Sequence, residues 1–148
     1  MNEMHLKKIN YELPRWDLSE IYKNIKDPKI RKDIKNIRES VNNFQKTWKG
    51  KINNLSPSDF LLCINEYQEI NEVIYKIATH SSLIFAINME DPEISKYNSS
   101  ISDEITEILS TLIFVTLELS KVDDNTIKKW FNDKNAKKWK PYLNILRK

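Results

Sequence analysis

Ile30, Ile34, Ile37, Val41, Phe44 and Trp48 recur at alternating steps of four and three, the spacing that puts six apolar side chains on one side of a helix. That stripe predicts a helix over 28–48, ended by Lys49-Gly50 with Gly50 in the left-handed conformation that follows many helices. Burying the six contributes about 1.5–3 kcal/mol each before entropy is charged. A second pattern runs from Pro57 with no breaker before Asp91-Pro92. In it Phe60, Ile64, Tyr67, Ile70, Ile74, Ile77, Ser81, Ile84 and Ile87 can share one side. Such a helix has about 30 residues and a length of roughly 45 Å. A third follows, with Ile94, Tyr97, Ile101, Ile105, Ile108, Leu112, Val115 and Leu119 in register. The second and third predict a long antiparallel hairpin turning near Asp91, with the 28–48 helix packed on it. Shorter helices are expected near 124–132 and 138–147, and no segment reads as a strand.

The punctuation agrees with the stripes. Asp27-Pro28, Ser56-Pro57 and Asp91-Pro92 each pair a side-chain oxygen that can cap free N–H groups with a proline suited to the first helical position. An earlier start is expected at Asp17, with Glu20 placed to complete a capping box. The fold class expected is all-α, an array of long antiparallel helices. Its organisation is a flexible tail over 1–12 and a single helical domain over 13–148.

Composition narrows the function classes. Gly50 is the one glycine, so phosphate loops, dinucleotide fingerprints and nucleophile elbows, which need glycine where backbone meets ligand, are excluded. The longest fully apolar run is five residues, Leu83 to Ile87, too short to span a bilayer. The start, MNEMHLKKIN, lacks the apolar core of a signal peptide. A lone cysteine, Cys63, rules out an internal disulfide and fits a reducing compartment. A cytoplasmic location is expected. Lys outnumbers Arg 20 to 4, and Ile and Asn are abundant, a bias that reads as A/T-rich coding rather than chemistry. Net charge is +6 over residues 1–51, −9 over 52–120 and +6 over 121–148. Folding the basic ends against the acidic middle satisfies much of this charge internally, so the net +3 argues only weakly for an anionic partner.

The chain is poor in candidate chemistry. Its histidines are His5 and His80, with no His-Glu-x-x-His. Cys63 and His80 share one predicted helix, and seventeen residues separate them by roughly 25 Å and a rotation of about 260°, so they cannot meet at a metal. His80 is expected as a satisfied or partly exposed helix residue, His5 in a frayed tail, and Cys63 as a small buried hydrophobe rather than a nucleophile. Glu66, Glu69, Glu72, Glu104 and Glu107 fall at helical spacing but lack the Glu-x-x-His pairs of di-iron bundles. They read as a solvated acidic face opposing the basic flanks. The run KKWFNDKNAKKWKPY interleaves Trp130, Phe131, Trp139 and Tyr142 with six lysines. Such a mixture can grip single-stranded nucleic acid or an anionic membrane, or bury its aromatics while the lysines meet the acidic hairpin. The second is favoured. No catalytic, cofactor-binding or metal-ligating residue is assigned.

Five short runs stand in one order and spacing: LPRWDLSEIY at 13–22, DPKI at 27–30, WKG at 48–50, LSPSDF at 55–60 and INMEDPEI at 87–94. Together they resemble the N-terminal region of oligoendopeptidase F, a metallopeptidase family related to thimet oligopeptidase. The resemblance extends from about Leu13 through YLNILRK at 142–148. Family members cleave short peptides with one zinc ion held by a His-Glu-x-x-His helix and a downstream glutamate, the motif glutamate acting as general base. Their N-terminal helices form one wall of a cleft that admits oligopeptides. None of the family's catalytic or metal-binding residues maps onto a position of this sequence. The resemblance therefore implies an N-terminal helical fragment, inactive alone, from a truncated, interrupted or split gene. Its partner is the missing catalytic region, in cis or as a separate chain, and zinc and oligopeptides belong to the complete enzyme. Leu13 to Trp16 are expected to anchor the N-terminus on the helices or to touch the catalytic region. The alternative is a free-standing helical interaction module that binds a protein or anionic partner through its basic aromatic C-terminus.

Overall fold

The computed structural model describes residues 18–147, and every regular element among them is helical. The tail over 1–12, His5, the Leu13–Trp16 run and the Asp17 cap lie outside the described residues. The elements are α1 (Leu18–Ile21), α2 (Pro28–Trp48), α3 (Pro57–Ile87), α4 (Pro92–Lys121), α5 (Asp124–Phe131), α6 (Lys134–Lys137) and α7 (Lys140–Leu146), with a 3₁₀ turn at Ile52–Asn54. No helix of the described residues is long and apolar enough to cross a membrane.

All three Asx/Ser-Pro starts are helix starts. Asp27 accepts from the Lys29 amide, Ser56 from that of Asp59, and Asp91 from those of Glu93 and Ile94, with proline opening each helix. Gly50 has φ of 81°, as its place after α2 requires. Its N–H and that of Ile52 then turn to the Glu118 carboxylate of α4, Gly50 reaching the two oxygens at 3.0 and 2.9 Å.

Side-chain bonds give the topology. Tyr22 meets His80, Lys76 meets Asp33 and Trp48 meets Glu66, so α2 and α3 run antiparallel. Ser81 donates to Asn98 across the hairpin at 2.9 Å, while Arg31–Glu104 and Arg38–Glu107 rise together along α2 and α4. The result is an up-down-up array of three long helices. The short helices α5 to α7 close its lower end. There Trp130 stacks on Phe60 at 4.3 Å with 3° between rings, and its Nε1 donates to the Leu55 carbonyl at 2.9 Å. Arg147 donates to the carbonyls of Leu119 and Val122.

The six predicted core positions of α2 are its six buried residues. On α3 the stripe holds from Phe60 to Ser81 and then fails. Ile84 is only half-buried and Ile87 is 72% exposed, because the hairpin tip projects beyond the start of α2. Cys63 is buried as expected, and His80 joins it. On α4, Ile94 and Tyr97 are half-buried, while Phe114, off the predicted stripe, is buried 5.8 Å from Phe44. The C-terminal stretch holds one more helical turn, α6, than its pattern suggested.

A candidate interaction face on the helical hairpin

The fold disperses the residues that the sequence singled out. Cys63 lies deep in α3, where burial pushes its thiol up to about 12. His80 is fully buried, and neither ring nitrogen has a hydrogen-bond partner; it is a core histidine, but not a satisfied one. Burial lowers its pKa below the ordinary imidazole value, and the nearby Asp27 charge and Tyr22 backbone oppose that shift without reversing it. Among the described residues no three His, Cys, Asp or Glu side chains come together as a metal centre requires.

The carboxylates divide. Glu104 and Glu107 bond Arg31 and Arg38 at 2.8 and 3.2 Å, and Glu66 accepts from the Trp48 indole at 2.9 Å. The basic N-terminal flank thus meets the acidic hairpin as charge patterning suggested. The C-terminal lysines do not. Lys128, Lys129, Lys134, Lys137, Lys138 and Lys140 are exposed, and none of them is in an ion pair of the described residues. The aromatics of the same run pack inward. Trp130 is fully buried, Phe131 packs edge-on against Phe60, and Trp139 and Tyr142 lie half-buried beside each other.

A different surface emerges from the placement of α2. At about 100° per residue, the charged positions of α4 (Glu93, Lys96, Asp103, Glu104, Glu107, Glu118 and Lys121) fall within one sector of roughly 100°. That is the side on which Lys26, Arg31, Arg38 and the Gly50 turn meet the helix. The side turned away carries Leu109, Ile113 and Leu117, which are 42, 58 and 56% exposed. No charged residue interrupts the sequence from Ile108 to Leu117. The hydroxyls interspersed there bond back to their own helix: Thr106 to the Ser102 carbonyl, Ser110 to Glu107, Thr116 to Ile113 and Ser120 to Leu117. What faces solvent is therefore mostly carbon.

Across the hairpin, α3 contributes Asn71, Tyr75 and Ala78. With Ile105 and Leu109 they line a groove of about 470 Å³, in which Glu72 supplies the charge. An open surface depleted of charge and carrying aromatic and aliphatic side chains has the composition of an interface core. Its sequence signal, ten uncharged residues in a chain that is 30% charged, is visible without a structure. Which side of α4 stays open is not, because that depends on where α2 lies.

Compared with protein-family models, with curated proteins and with solved structures, the chain matches none.

Proposed function

We propose that this chain is the N-terminal helical part of an oligoendopeptidase F-like peptidase, with the uncharged hairpin face seated against the rest of the enzyme. The observation that carries the reading is that face: Leu109, Ile113 and Leu117 stand open beside a groove between two long helices. It is where a part of this kind would be covered in a complete molecule. The ordered runs behind the resemblance agree, since DPKI caps α2, WKG ends it, LSPSDF opens α3 and INMEDPEI spans the hairpin turn. Neither histidine belongs to a zinc-binding helix motif, and the described side chains do not fit a metal. Zinc, its ligands and the general base must then come from residues outside this sequence, in the same polypeptide or another. Oligopeptide substrates and a cytoplasmic setting are part of the same proposal.

A peptide-cleavage assay with added zinc is the test. No turnover is expected from the purified chain, and activity should appear when a chain carrying the zinc helix is added. Turnover that follows the isolated chain and disappears with a chelator would overturn the reading.

The unpaired lysines favour a second reading, a free-standing module that binds an anionic partner through α5–α7. Base stacking is disfavoured because Trp130 is buried and the neighbouring aromatics are packed. Retention on a polyanion column that falls steeply with salt supports this reading; flow-through at low salt ends it.

A further inference from the structure

We propose that His80 is a proton-operated latch that holds the N-terminal arm, α1 and the loop to Asp27, on the hairpin and releases it in mildly acidic solution. The arm is fixed chiefly through Tyr22, which is 2% exposed. One edge of the contact is the Tyr22 ring against the His80 imidazole, with centroids 4.9 Å apart at 88°. The other is polar: the Tyr22 hydroxyl donates to Asp33 of α2 at 2.7 Å, and Lys76, one turn before His80, reaches both Asp33 at 3.4 Å and the Tyr22 ring at 5.2 Å.

A neutral imidazole suits this seat because it is fully enclosed and its nitrogens meet no partner. Uptake of one proton from solvent makes both nitrogens N–H donors on a cation that is cut off from water, and the Tyr22 backbone beside the ring, like the Asp27 charge, offsets that burial without reversing it. The charged and titratable groups around the latch do not compensate. Asp27 acts on His80 from the loop without bonding it. Asp33 of α2 is already engaged by the Tyr22 hydroxyl and Lys76. Lys76 on α3 is itself cationic. Tyr97 of α4, which acts on Tyr22, has a buried hydroxyl with no partner. The depressed pKa of His80 is the electrostatic counterpart of this geometry. Opening the arm admits water to the ring and relieves the penalty, at the cost of exposing Tyr22 and its bond to Asp33 but of little else, since α1 is a four-residue helix without a buried residue of its own.

The latch is connected to the uncharged face. Ile21 of α1 lines a hollow with Glu72, Tyr75 and Lys76, and Glu72 and Tyr75 also line the groove toward Leu109. Release of the arm therefore widens the apolar surface at that end of the hairpin.

The experiment follows amide hydrogen exchange of residues 18–27 in the full chain between pH 7.5 and 5.0, corrected for intrinsic rates, beside the imidazole signal of His80 by NMR. His5→Gln identifies that signal by leaving one histidine. Arm protection is expected to fall as pH drops below about 6.5, by about tenfold for each pH unit separating the latched and released histidine pKa values. His80→Phe, which keeps a ring without a titrating nitrogen, should hold the arm at both pH values. Arm protection that is constant across the range, or that falls equally in His80→Phe, overturns the proposal. Should the Phe variant not fold, the wild-type data still decide: the His80 titration and the loss of arm protection must share one midpoint, and separate midpoints reject the latch.

Discussion

At the residue scale, burial sets the ionisation of four of this protein's tyrosines. Tyr97 and Tyr142 are pushed up to about 12, chiefly by desolvation, and Tyr22 and Tyr67 are raised for the same leading reason. The unfolded chain loses these four phenolic protons near pH 10 while the folded protein keeps them. Their stabilisation is thus complete below about pH 10 and is lost as pH rises toward the folded values. The tyrosinate absorbance of these four should therefore appear in a cooperative step that coincides with loss of helical signal above pH 10. Their gradual, non-cooperative titration with the helices intact would contradict it. The raised Cys63 thiol gives a companion expectation. A thiol reagent at pH 8 should leave the native protein unlabelled and modify Cys63 once denaturant is added. Trp130 is the residue whose loss should be felt most. Trp130→Ala removes the stack on Phe60 and the bond to Leu55, for an expected loss of about 3–5 kcal/mol in a urea melt.

At the scale of elements, the helix starts and stops were written plainly in the sequence because each depends on two or three adjacent residues. The cap oxygens of Asp27, Ser56 and Asp91, the prolines behind them and the left-handed Gly50 all perform the local role their residue type suggests. Gly50 allows a clean test, since a Cβ there would meet nothing within 4 Å. Gly50→Ala should cost about 1–2 kcal/mol, the backbone penalty alone, and a melt unchanged from wild type would show that the turn relaxes without strain. Where the pattern misled, the cause was tertiary. The apolar stripe of α3 runs on to Ile87, but periodicity says nothing about how far a neighbour extends, and nothing of α2 covers the tip. His80 and Phe114 lay off their predicted stripes because a helix packed on two sides buries a wider arc than one packed on one.

For the whole molecule, the basic–acidic–basic charge pattern proved half legible. It anticipated that the first basic segment meets the acidic hairpin, through Arg31 and Arg38. It equally suggested that the C-terminal lysines would do so, yet the array places them away from the glutamates, around a cap seated by Trp130 and Leu143. The candidate interaction face was legible only in composition, as the uncharged run from Ile108 to Leu117, and not in orientation. If that face is normally covered, the isolated chain should bind an apolar dye and self-associate in sedimentation experiments. Ile113→Lys should suppress both while shifting stability by no more than about 0.5 kcal/mol, as expected for an exposed position. Association that persists unchanged in Ile113→Lys would move the sticky surface elsewhere, and a monomeric, dye-free wild type would favour the free-standing module.

The Trp130 bond to Leu55 spans 75 positions of sequence, whereas the hairpin pairs Ser81 with Asn98 across 17. On the ribosome the two cannot close together. The hairpin is available as soon as its second arm emerges, but Leu55 must wait for its Trp130 partner while those 75 residues are added, about 4–15 s at ordinary elongation rates. During that interval the base of α3 lacks its lid, and a nascent chain stalled before residue 130 would present Phe60 to whatever chaperone or protease is nearest.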